Sequence, residues 1–198
     1  MCGVFWRMGR IIHLRRGYLS HGARASSFGP ERPPNRNPPP PPGMEPIHVA
    51  LYEPEIPGNA GAVARTCGAA GAPLHLVGKL GFSFTHPKAK RALMDYWQHV
   101  DYRVHVAWDD FAAETAGRRI WAFTTRAERG LWEAEFAPGD VLLFGPESRG
   151  LPDSILAAAP ERLVRIPMRP ETRSLNLSTS VGIALYEALR QVGFPGGR

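Results

Sequence analysis

The chain has 198 residues, is 43% hydrophobic and carries a formal net charge of +6, which suits one folded domain with a tail. The charge is uneven: residues 1–43 hold seven Arg against the single acid Glu31, whereas residues 44–198 hold 17 basic and 17 acidic residues. The pI near 9.8 therefore describes the tail, and a uniformly basic nucleic-acid-binding body is excluded.

Residues 1–43 are predicted to be a disordered Arg/Pro-rich extension. Five consecutive prolines, Pro38 to Pro42, favour extended polyproline II and cannot pack a core. The Arg-rich part overlaps in composition with organellar transit peptides, although cytoplasmic location is the first expectation. Met44 opens the domain expected over 44–198.

From there the texture becomes short apolar runs alternating with small-residue stretches. The pattern predicts a strand over 47–52 and a helix over 59–70, with Asn59 as N-cap and Gly71 as stop. A strand over 74–77 follows, then a short helix over 87–93, a strand over 100–106 and a helix over 108–116. Strands over 120–123 and 141–144, a helix over 152–158, a strand over 163–166 and a last helix over 177–192 complete the series. Strands alternating with helices predict an α/β fold, a parallel sheet flanked by helices. Ligands in such sheets gather at the carboxyl ends of the strands, which directs attention to the loops after Tyr52, Phe123, Phe144 and Ile166.

The cysteines, Cys2 and Cys67, are too few for a disulfide scaffold. No C-x-x-C or H-E-x-x-H occurs and the histidines do not cluster, so no metal site is expected. No apolar run approaches the roughly 20 residues that span a membrane, so no membrane association is expected.

The first loop, Glu53 to Gly61, leads into a helix but has neither G-x-G-x-x-G nor a Walker A sequence. Asn59 and Arg65 lie six residues apart, roughly 9 Å along a helix axis. Helical side chains lean toward the N-terminus, so Arg65 can reach back toward the mouth that Asn59 caps. An ordinary cap and a solvated Arg are the simpler alternative. The second loop, Phe144 to Pro152, sets Glu147 and Arg149 between two glycines and two prolines that fix an unusual backbone path. In the third, an extended 174–176 would point Ser174 and Asn176 to one side, toward a ligand or a ribose, with Leu175 turned into packing. Alternatively, Ser174, Asn176 or Ser178 simply caps the last helix.

Together, Tyr52 to Asn59 with Arg65, Phe144 to Pro152, and Arg173 to Ser178 with the helix that follows resemble the three motifs of the SPOUT superfamily of S-adenosylmethionine-dependent RNA methyltransferases. The match is closest to the TrmL/YibK group, tRNA wobble-nucleotide 2′-O-methyltransferases. Leu93-Met94-Asp95-Tyr96-Trp97 also resembles a segment of that group, and the likeness runs from about Ile47 to Pro195.

The resemblance implies an α/β-knot fold with a deep C-terminal trefoil knot, a homodimer, and the anticodon loop of a tRNA as substrate. It implies S-adenosylmethionine as cofactor, bound by Phe123, Gly145, Ile166, Met168, Ser174 and Leu175. It implies that Arg65 activates or positions the ribose 2′-hydroxyl, with Asn59, Glu147, Ser174 and Asn176 orienting ribose and loops. An Arg is charged in nearly all proteins, so positioning suits Arg65 better than proton acceptance. Arg91, Arg126, Arg129, Arg149 and Arg173 are the candidate RNA contacts. Methylation of another tRNA or rRNA ribose, an RNA-binding homologue without catalysis, and a nucleotide-binding oxidoreductase are the competing functions.

Overall fold

The computed structural model describes residues 45–83 and 100–194. The extension over 1–43, the helix expected over 87–93 and the segment Leu93 to Trp97 lie outside the described residues. In chain order the elements are β1 (His48–Tyr52), α1 (Pro57–Ala70), β2 (Leu74–Val77), β3 (Tyr102–His105) and α2 (Trp108–Glu114). There follow β4 (Ile120–Phe123), β5 (Val141–Phe144), α3 (Asp153–Ala158), β6 (Leu163–Val164) and α4 (Leu177–Gln191). Short 3-10 turns occupy Leu131–Glu133 and Pro160–Arg162.

All strand pairs are parallel, in the order β3-β2-β1-β5-β4-β6. A parallel sheet is covered on both faces, so its central strands are apolar without alternation. The run Val141-Leu142-Leu143-Phe144 shows this, with every residue buried. Leu142 and Phe144 face α1 and α4, among Val63, Ala64, Cys67, Val181, Leu185 and Ala188. Val141 and Leu143 face the other way, toward Phe111, Leu151 and Leu156. Small residues on α1 bring α1 and α4 together over one face.

Most predicted elements fall where the sequence puts them, and two differences have physical causes. The last strand is shorter than 163–166 because it lies at the sheet edge. Past Val164, the Arg165 amide turns to the Arg129 carbonyl, in a loop that follows β4. The N-cap of α1 is Ile56, not Asn59. Pro57 is pre-organised for the first helical position and starts the helix two residues earlier. Gly71 ends the helix as expected, at φ 68°.

A buried polar row crosses one sheet face. His48 Nδ1 lies 2.9 Å from His75 Nε2, and His75 Nδ1 lies 2.9 Å from His105 Nε2. His105 Nδ1 ends the row 3.7 Å from the Glu114 carboxylate. Burial, reinforced by the Arg118 and Arg103 charges, pushes His48 down to about 4. Burial together with the neighbouring histidines and arginines pushes His75 down to about 3. His105 is also lowered by burial, against the opposing pull of Glu114. The row is therefore neutral at pH 7, and His75 has both ring nitrogens paired with its neighbours.

Candidate active site

Order reverses in the sheet at β1: the chain moves outward to β2 and β3, then returns on the other side. Crevices form at such switch points, outside the carboxyl ends of the strands. A cleft of about 660 Å³ lies there, walled by the loops that follow β4, β5 and β6 together with Ile56 and Asn59.

Gly145 is the tightest point. A Cβ built on it would sit 2.4 Å from the Gly150 carbonyl carbon and the Leu151 nitrogen, so only glycine lets the second loop fold back on itself. Gly150 turns that loop at φ 71°. Beneath the cleft, Phe123 and Phe144 stack with ring centroids 4.5 Å apart.

The loop after β1 and the loop after β5 clasp each other through their acids. The Glu147 carboxylate accepts from the Glu55 amide (2.9 Å), the Ile56 amide (3.3 Å) and the Asn59 side-chain amide (2.9 Å). In return, the Glu55 carboxylate accepts from the Ser148 amide (3.0 Å) and hydroxyl (2.7 Å). Arg149 pairs with Glu53 and lies 3.6 Å from Glu55. Glu53 takes φ 45°, a left-handed conformation that non-glycine residues rarely adopt. Charge-assisted bonds of this kind are stronger than neutral ones, and every one of these contacts is made at a carboxylate.

The third loop joins the same frame. Asn176 Nδ2 donates to Asn59 Oδ1 at 2.9 Å. Asn176 Oδ1 accepts from the Ser178 amide and hydroxyl and the Thr179 amide, capping α4. Asn176 thus caps α4, as one sequence reading has it, and the same side chain stands in the cleft wall. A chain of hydrogen bonds, Glu147 to Asn59 to Asn176, ties three loops at one mouth.

All six residues expected to hold the cofactor, Phe123, Gly145, Ile166, Met168, Ser174 and Leu175, line the cleft. Glu147, Asn59, Ser174 and Asn176 line it as well. Arg65 does not: it lies on an exposed face of α1, outside the cleft wall. Of the expected RNA contacts, Arg126 pairs with Asp153 at 2.7 Å and Arg129 donates to the Glu161 carbonyl at 2.7 Å. Arg173 lines the cleft and is exposed, whereas Arg91 lies outside the described residues. Sequence reasoning passed over Glu55, Thr124 and Thr125. The only cue for Glu55 was a second acid two residues beyond Glu53 at a strand end, which means little until Ser148 is seen opposite it.

The walls suit an adenosyl sulfonium. Phe123, Ile166, Met168 and Leu175 offer apolar surface for a flat base, and Thr124, Thr125 and Ser174 offer hydroxyls for its polar ends. Among the described residues no group of three or more His, Cys, Asp or Glu could hold a metal ion. No described helix is long and apolar enough to cross a membrane.

Comparison with known proteins agrees with this chemistry. Residues 46–186 match the family model described as the SpoU rRNA Methylase family. A Burkholderia pseudomallei (strain 1106a) protein named tRNA (cytidine(34)-2'-O)-methyltransferase is 48% identical over 154 residues, covering 76% of this chain and 99% of that protein. A solved structure described as giving insight into the 2-OH methylation of C/U34 on tRNA is 53% identical, with a TM-score of 0.71, covering 75% of this chain and 97% of that one. An AdoMet-bound rRNA methyltransferase from Sinorhizobium meliloti is 32% identical with a TM-score of 0.66, covering 75% of this chain and 57% of that one.

Proposed function

The chain belongs to the SpoU methylase family, and from that premise we infer that it is an S-adenosylmethionine-dependent ribose 2′-O-methyltransferase acting on the wobble nucleotide, C or U at position 34, of a tRNA anticodon loop. The observation that carries the reading is the hydrogen-bonded chain Glu147–Asn59–Asn176, which holds three loops of different strands around one cleft.

When bound, the cofactor supplies a methyl group on a positively charged sulfur, an electrophile that needs no further activation. The protein's task is to deliver a ribose hydroxyl in line with it at roughly 3 Å. Phe123, Gly145, Ile166, Met168, Ser174 and Leu175 would hold the cofactor. Glu147 accepts from two backbone amides and the Asn59 side chain, so the Asn59 amide is locked with its oxygen toward Asn176. The exposed Ser174 hydroxyl and the Asn176 amide then present short polar groups to the ribose.

Arg65 is assigned to orient the 2′-hydroxyl and stabilise the charge that develops on its oxygen. Because Arg65 stands on the exposed side of α1 rather than in the cleft of its own chain, the homodimer is part of the reading: the RNA or a second copy has to bring Arg65 and a cleft together. A trefoil knot is also part of it, and the segment between β6 and α4, carrying Ser174 and Asn176, would be its threaded strand. Cytoplasmic location is part of the reading, with organellar targeting by the Arg-rich extension over 1–43 as its alternative.

The test is transfer of labelled methyl from S-adenosylmethionine to total tRNA lacking the modification, followed by mapping of the product. Methyl is expected on the 2′-oxygen of nucleotide 34, lost by about 100-fold or more in Arg65→Ala, a size typical of removing one charge-stabilising donor. Methyl on a different ribose would overturn the substrate, and an unaffected Arg65→Ala would overturn its role.

A further inference from the structure

The described cations differ in what engages them. Most are engaged by acids at the surface, as Arg118 is by Glu45, Arg119 by Asp140 and Arg149 by Glu53 and Glu55. Lys79, Arg165, Arg169 and Arg173 are exposed and have no ion pair or side-chain hydrogen bond among the described residues. A single solvated Arg means nothing, but these four share one placement. Lys79 follows β2, and the three arginines lie between β6 and α4. All four therefore leave the carboxyl ends of strands, where the cleft opens. Cations at the opposite end of the sheet, Arg118 and Arg119, are neutralised by Glu45 and Asp140.

The three arginines recur every fourth residue across a loop that Pro167 and Pro170 stiffen. One acid, Glu171, lies among them, leaving the stretch 165–173 at a net +2 in a body whose overall charge is zero. Arg173 itself forms part of the cleft wall. Three guanidinium groups on one loop that reaches a polar cleft, with no ion pair among the described residues, are matched by successive phosphates along a strand.

Resting on the reading of the cleft as a ribose-methylating site, we propose that Arg165, Arg169 and Arg173 form a phosphate track that grips the RNA backbone beside the target nucleotide. Arg173 holds the phosphate nearest the cleft, and Arg165 and Arg169 hold its successors. The track supplies binding and register to an otherwise neutral body. It replaces Arg126, Arg129 and Arg149 as the RNA contacts, because those three are already committed to protein partners.

The experiment measures the affinity of the full chain for unmodified tRNA as a function of salt, with the methyl donor's product S-adenosylhomocysteine present. Each phosphate contact to single-stranded RNA contributes about 0.7 to the slope of log affinity against log salt, so the triple variant Arg165→Gln/Arg169→Gln/Arg173→Gln should lose about 2 from the slope. Between 50 and 200 mM salt its affinity should then fall about 20-fold less than that of the wild type. Arg103→Gln, which removes a charge paired with Glu114 on β3, should leave the slope unchanged.

The double variant Arg165→Gln/Arg169→Gln should raise KM for tRNA while kcat and S-adenosylhomocysteine binding stay at wild-type values. If the wild type methylates nucleotide 34 and the triple variant keeps the wild-type slope, the track is wrong and the functional reading stands. If the triple variant also loses S-adenosylhomocysteine binding, the arginines support the fold or the cofactor, and the track is overturned. If the wild type binds no tRNA, both fail.

Discussion

Gly145 has space for a hydrogen and nothing larger, since a methyl group would press on the backbone of Gly150 and Leu151 at 2.4 Å. Neither neighbour is the flexible end of a side chain, so the loop has to move, and with it the cleft walls at Glu147 and Arg149. Gly145→Ala should therefore weaken S-adenosylhomocysteine binding about tenfold or more, a cost of about 1.4 kcal/mol, measured by calorimetric titration. Affinity within twofold of wild type would show that the loop's path is not what shapes the cleft. Two residues away, Glu147 does its work through bonds to backbone amides rather than to any solvent group. The resemblance to known motifs already implied an orienting role for Glu147, but not the backbone amides through which it ties the loops.

Between β4 and β5 the chain makes a long excursion that one side chain gathers in. Asp140, 2% exposed, accepts from Arg119 at 2.7 and 2.8 Å, from the Trp121 indole at 2.8 Å and from the Ala137 amide at 2.9 Å. Asp140→Ala leaves those donors without their acceptor, at a cost of about 2–4 kcal/mol, moderated because Arg119 can reach water. A chemical-denaturation midpoint unchanged from wild type would contradict this. At this scale the sequence was most legible. The run 141–144 is apolar without alternation, which only a strand covered on both faces explains, and Gly71 marks its helix end by the one conformation it alone tolerates cheaply. What stayed hidden was pairwise. Asn59 looked like a cap because Asn often is one, yet its side chain is drawn away by Glu147 and Asn176, 88 and 117 residues distant. Local preference cannot reveal a partner so far along the chain. The cofactor residues were proposed by resemblance to known motifs, whereas finding Arg165 and Arg169 without an ion pair among the described residues required seeing where the described acids had gone.

The histidine row spans β1, β2 and β3 and makes stability of the whole molecule depend on pH. In the unfolded chain each imidazole titrates near about 6.5, while in the native sheet His48 and His75 resist protonation to about 4 and about 3. Depressed native values mean that the unfolded chain binds more protons between those limits. Stability from the row is complete above pH 6.5 and declines as pH falls toward 4 and 3. The slope approaches about 1.4 kcal/mol per pH unit for each histidine. Urea midpoints between pH 7.5 and 5, above most carboxylate titration, should fall steadily; a flat profile there would mean the row protonates without cost. A different consequence follows from the bond between Asn59 and Asn176. Ribosomes add roughly 5–20 residues per second, so the 117 positions separating these partners represent about 6 to 23 s of synthesis. Throughout that interval the nascent α1 has no α4 to cover Val63, Ala64 and Cys67, and the mouth of the cleft lacks its third loop. A growing chain should therefore lack a complete cleft until α4 is made, and a product truncated before Asn176 should expose the apolar face that the finished protein hides.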